Sequence, residues 1–166
     1  MRRKNKHTAG FTLVELLTVA LIIGLLSTLL FVSINAARSK ARDAVRKQNL
    51  VQIKKALELY YDDHGAYPLS SGGWYAFEYQ HPIDYILGIT PTYLARLPND
   101  PLVGKIEGLP EAGYKYISDG KDYKIVAYGT IEKYSWPTLV PSTDPFHDLG
   151  HVYSSYALYT SGAVNW

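Results

Sequence analysis

From Phe11 to Ile34 the chain is apolar and carries a single charge, Glu15. At 1.5 Å per helical residue this stretch reaches across about 30 Å of hydrocarbon. The composition then turns polar but stays compatible with helix, as in Ala36-Ala37-Arg38-Ser39-Lys40-Ala41-Arg42-Asp43-Ala44. Further on, Leu50, Ile53, Leu57, Tyr60 and Tyr61 recur at spacings of three and four, which marks one face of an amphipathic helix. No proline interrupts Phe11 to Gly65. The pattern therefore predicts one helix from Phe11 to about Asp63, roughly 80 Å long, apolar all round in its first half and one-sided in its second. Asp62-Asp63-His64-Gly65 ends it, with Gly65 suited to a left-handed cap and Pro68 just beyond.

Beyond the helix the period changes. Gly113–Ser118 and Asp122–Tyr128 read as two strands, rich in aromatic and β-branched residues, and Asp119-Gly120 between them signals a hairpin. A third strand is expected within Val152 to Thr160. Ser70 to Gln80 and Trp136 to Gly150 read as loops, and Pro82 to Leu87 as one or two helical turns. The fold class that follows is α+β, a long N-terminal helix packed on a small antiparallel sheet. Four segments are expected: a leader (1–10), a membrane half of the helix (11–34), an amphipathic half (35–63) and a globular head (64–166).

Charge sharpens this picture. The formal balance is +2, but Arg2, Arg3, Lys4 and Lys6 all lie in the leader. Without those four, 13 of the 17 basic residues face 15 acidic ones, a balance of −2. The rest of the chain thus has no basic bias toward nucleic acid, and the leader reads as a cytoplasmic topology signal. The helix would span the inner membrane once with the head outside. A cleaved secretory signal ending near Asn35-Ala36-Ala37 is disfavoured, because its apolar region runs to only about 7–15 residues. There is no cysteine, so disulfides and thiolate chemistry are excluded. All 15 tyrosines lie at or after Tyr60, where packing is the simplest role for them.

Glu15 is costly where it stands, since a carboxylate in a membrane helix costs about 2.5–3.5 kcal/mol on insertion scales. A cut between Gly10 and Phe11 would create an amino-terminal cation four residues earlier. In an assembly of identical chains, that cation from one subunit can neutralise Glu15 of another. A hydrated carboxylate at the membrane surface is the alternative.

Gly10-Phe11-Thr12-Leu13-x-Glu15, after a short basic leader and before a long apolar helix, resembles the processing site of type IV prepilins and type II secretion pseudopilins. Tyr60-Tyr61-x-Asp63-x-Gly65-x-Tyr67-Pro68 and Tyr93-Leu94-x-x-Leu97-Pro98-x-Asp100-Pro101 are similar to the major pseudopilin's pattern, and extend the resemblance to about residue 130. The C-terminal region from about Trp136 departs from it. The resemblance implies cleavage after Gly10, methylation of Phe11, an assembly role for Glu15, and a pilin fold. It implies as partners a prepilin peptidase, copies of the chain, other pilin-like subunits and an inner-membrane assembly platform. It also implies a periplasmic or extracellular fibre.

Other chemistry is weaker. His147-x-x-x-His151 has metalloprotease spacing, but Asp148 replaces the catalytic Glu, Gly150 breaks a helix, and a loop is expected. No constellation points to an enzyme. No cofactor is expected; the resemblance leaves calcium open, with Asp144 and Asp148 as candidate ligands. Gly24 reads equally as a packing site or a point where the helix loosens. The alternative function is a membrane-anchored module binding polysaccharide, DNA or a surface through Trp74, Trp136 and Trp166.

Overall fold

The structure, a computed structural model, describes residues 10–70, 76–77, 81, 83–134, 138, 140–150 and 155–166; for 29–32, 76 and 77 it describes the backbone. One helix, α1, runs from Leu13–His64 without a break. It begins two residues later than the apolar pattern does, because Thr12 caps it. It ends as expected: Gly65 takes φ 70° and its N–H donates to Tyr61 O at 2.7 Å.

The chain forms two compact units, Met1–Arg38 and Ser39–Trp166. In the first, the described apolar side chains of α1 bury almost nothing: Leu13, Leu16, Leu21 and Leu25 are 64–79% exposed. By length and composition α1 is able to cross a membrane.

In the second unit, a four-stranded antiparallel sheet has the order β1 (Ala76–Phe77), β2 (Gly113–Ser118), β3 (Tyr123–Tyr128), β4 (Ser155–Tyr159). Strand β1 falls in a stretch read as loop; two paired residues are too short to leave a period in the sequence. The β2–β3 hairpin pairs Ser118 with Tyr123, so the turn has four residues. Asp119 Oδ1 closes it by accepting the N–H groups of Lys121 (2.9 Å) and Asp122 (2.8 Å). The segment 83–87 forms turns and bends instead of helix, and in the turns that follow Tyr93 N–H donates to Ile89 O at 3.0 Å.

Leu50, Ile53 and Leu57 of α1 are fully buried with Tyr114, Tyr116, Ile125 and Tyr156 of the sheet. Strand β3 is buried on both faces; Val126, Tyr128 and Ala157 form a second, smaller cluster with Leu109 and Tyr159. The core is rich in tyrosine, so hydroxyls must find partners. Tyr116 donates to Pro68 O (2.7 Å) and Tyr85 to Pro98 O (2.9 Å). Tyr67 and Tyr123 both donate to Glu58, each at 3.0 Å. Burial, then that carboxylate, pushes the Tyr67 hydroxyl up to about 12.

Candidate functional site

The residues that sequence reading singled out meet at the start of α1. Residues 1–9 lie outside the described residues, as do Trp74, Trp136 and His151. Gly10 and Phe11 are exposed and precede the helix, and Phe11 is 85% exposed. A Cβ placed on Gly10 would meet nothing within 4 Å, so nothing in the described chain demands a glycine there.

Thr12 and Glu15 form a reciprocal cap. Glu15 N–H donates to Thr12 Oγ1 at 3.3 Å. Glu15 Oε2 accepts from the Thr12 N–H at 2.8 Å and from its hydroxyl at 2.7 Å. This is the capping box, which satisfies two of the donors that every helix N-terminus exposes. The spacing Thr12-x-x-Glu15 in the sequence already carries the signal. One carboxylate oxygen is thereby engaged, while Oε1 has no hydrogen bond among the described residues. Gly24, like Gly10, is open on all sides within 4 Å.

A second cluster, missed in the sequence, joins α1 to the loops of the head. Arg46 is fully buried. Its Nε and Nη2 donate to the two oxygens of Asp100 at 2.8 and 3.1 Å, and Nη1 to Asp43 at 2.7 Å and Glu132 at 3.2 Å. Arg42 makes a two-pronged bond to Glu132, both contacts 2.6 Å. Thr130 donates to Asp100 at 2.7 Å, and Asp43 accepts the N–H of Lys133 at 2.8 Å. Burial pulls the Arg46 guanidinium down, but Asp100, then Asp43 and Glu132, outweigh it and raise it above its ordinary value. Arg42 holds the Glu132 carboxyl below the usual range. The Asp43/Arg46 spacing of three on one helix was the available signal.

Asp144 and Asp148 do not form a calcium site. Asp144 is bound to Lys47 Nζ at 2.7 Å, and Asp148 to the buried Lys124 Nζ at 2.7 Å. Asp148 also accepts from Gly150 N–H at 3.1 Å and Ser155 Oγ at 2.7 Å. A metal ion would have to displace the buried ammonium of Lys124 at Asp148 and the half-buried one of Lys47 at Asp144, so these residues do not fit one. No group of three His, Cys, Asp or Glu suited to a metal occurs among the described residues. His147 donates through Nδ1 to Val140 O at 2.7 Å and lies in a β-bridge to Tyr156, as the loop reading requires. Trp166 is half-buried, and its carbonyl accepts from Lys124.

Residues 5–31 match the model of the prokaryotic N-terminal methylation motif. The type II secretion system core protein G of Klebsiella pneumoniae is 32% identical over 97 residues, covering 55% of this chain and 67% of that protein. The chain belongs to this pseudopilin family. Core protein G of Klebsiella michiganensis is 29% identical over 154 residues, 91% of this chain and 96% of that protein. That of Vibrio cholerae is 29% identical over 124 residues, 72% and 77% of the two chains. No solved structure matches the chain significantly.

Within this pseudopilin, the two head motifs acquire physical reasons. Pro68 and Pro98 supply the carbonyls that buried tyrosines need. Leu97 is fully buried, and Asp100 carries the ion pair to Arg46. The first motif is thereby tied to β2, and the second is tied through Asp100 to α1.

Proposed function

We propose that this pseudopilin is made as a precursor whose leader stays in the cytoplasm and whose head lies outside the inner membrane. A prepilin peptidase cuts between Gly10 and Phe11 and the new N-terminus is methylated. An inner-membrane assembly platform then draws the subunit from the bilayer, and the apolar half of α1 (11–34) packs with other copies and related subunits into a fibre. The amphipathic half (35–63) and the head (64–166) form its outer layer, in a type II secretion system like those of the relatives. The role is structural, not enzymatic.

The observation that carries this reading is the exposed, capped start of α1. An apolar helix that buries nothing against the described chain needs either lipid or other copies of itself around it. Within such a bundle an unpaired carboxylate is expensive, so Glu15 favours the axial offset that brings a neighbour's new amino group to it. The capping box leaves Oε1 to receive that group without uncapping the helix.

A Gly10→Glu change tests the scheme, read by intact mass of the membrane form and by electron microscopy of sheared fibres. The precursor mass should persist and fibres should vanish; normal fibres built from uncut precursor would overturn the proposal.

A further inference from the structure

The head carries an apolar groove on one side of α1 and an apolar knob on the other, and we propose that the knob of one copy seats in the groove of the next. This inference rests on the fibre reading above.

The groove, of about 570 Å³, is floored by Val51, Leu59 and Leu158 and edged by Lys54, Lys55 and Asp62. Leu59 is 53% exposed and Val51 36%. Glu58 also lines it, but its carboxylate is held by Tyr67 and Tyr123. The two lysines, both exposed, have no ion-pair partner among the described residues.

The knob is Ile83 with Leu87, 68% and 57% exposed. It is presented firmly, because the residues between and after them are anchored. Tyr85, Ile86 and Ile89 are buried, and the Tyr85 hydroxyl is fixed on Pro98 O. Asp84, beside Ile83, is exposed and accepts from Thr90 Oγ1 at 2.8 Å. A carboxylate thus flanks the knob where ammonium groups edge the groove.

The placement decides the kind of contact. A Cβ on Gly88 would lie 3.2 Å from Tyr60 Cε2, so the knob segment packs on the Tyr60 side of α1. Tyr60 lies about 100–180° around the helix from the α1 residues that line the groove, most of them on the far side. Knob and groove therefore sit on opposite sides of the same head and cannot meet within one chain. Two different patches on opposite sides make a head-to-tail contact, which propagates instead of closing into a pair. Exposed apolar patches rimmed by charge are the usual mark of such surfaces.

The chain has no cysteine, which makes disulfide trapping clean. Full-length protein carrying Leu59→Cys together with Leu87→Cys is assembled with its own machinery, imaged, oxidised and run on a denaturing gel. A ladder of dimer, trimer and higher bands is expected from the double variant and only monomer from each single one. Fibres that form normally but give no ladder overturn the proposal and leave the fibre reading standing, as do single variants that trap a dimer. No fibres from the unmodified chain overturn both. Charge exchange gives a second measure free of cysteine. Lys55→Glu or Asp84→Lys alone should cut fibre yield about fivefold, and the two together should restore it. Unchanged yield in both single variants overturns the pairing.

Discussion

Arg46 holds three carboxylates from three parts of the chain, so its removal is the most informative perturbation of the head. In Arg46→Met the volume is nearly kept and the charge is lost. Asp43 retains backbone donors from 132 and 133, and Glu132 retains Arg42. Asp100, 3% exposed, loses both guanidinium bonds and retains those from Thr130 and the Leu102 N–H. Breaking a buried pair by removing one partner costs about 3–5 kcal/mol, because the other charge stays buried and uncompensated. For a head of this size that is a fall in melting temperature of roughly 10–20 °C. The assay is thermal unfolding of the full chain in detergent micelles, followed by near-ultraviolet circular dichroism of the tyrosines. An ion pair of this strength requires that Arg46→Met with Asp100→Asn recover part of the loss, since the buried carboxylate left without its guanidinium is then neutral. A single variant melting within about 3 °C of the unmodified protein, or a double variant worse than the single, would refute it.

Three further outcomes are expected. Burial presses Lys115 down to about 8, so its cost to folding is complete below pH 8 and is relieved as pH rises toward its ordinary 10.5. Stability should therefore rise by about 1–1.5 kcal/mol from pH 7.5 to 9, and Lys115→Met should abolish that rise in urea titrations at the two pH values. Glu132 is held below the usual carboxylate range, chiefly by Arg42, so its contribution is present above that range and lost as pH falls through the lowered value. Arg42→Gln should move the onset of acid unfolding to higher pH, measured by circular dichroism. Gly129 has φ 69°, and a Cβ there would run into Leu109 Cδ2. Gly129→Ala should cost at least about 1–2 kcal/mol, whereas Gly108→Ala, also at positive φ but in open space, should cost less.

The long helix, its Gly65 stop and three of the strands were legible because each rests on a local rule: period, cap or turn chemistry. Gly113 to Ser118 declares itself by its aromatic and β-branched residues, whereas Ala76–Phe77 cannot, being held by β2 and not by its own composition. The ion cluster was hidden for a related reason. Arg46 falls on the same face of α1 as Leu50, Ile53 and Leu57, yet only the return of Asp100 and Glu132 from 54 and 86 residues away gives a charge there its partners. Asp144 and Asp148 misled in the opposite sense. Two acids in a loop suggest a cation, and the cations are Lys47 and Lys124 of the same chain. At the start of α1 the motif was plain, but its geometry was read for one role only; Thr12 shows that Glu15 also builds the helix end it sits on.

The ion cluster has a mechanical meaning as well. Within the Ser39–Trp166 unit, Arg42, Asp43, Arg46 and Lys47 bond to parts of the chain far beyond α1, all of them on the N-terminal side of the packing at Leu50. A load passed along the helix therefore meets short charged bonds before it meets the apolar packing at Leu50 and beyond. They bind α1 to loops far along the chain, so the force is shared among several bonds in parallel and the sheet is not peeled from one end. Within the Ser39–Trp166 unit, α1 is thus fastened to the head by ion pairs first and by apolar packing after them.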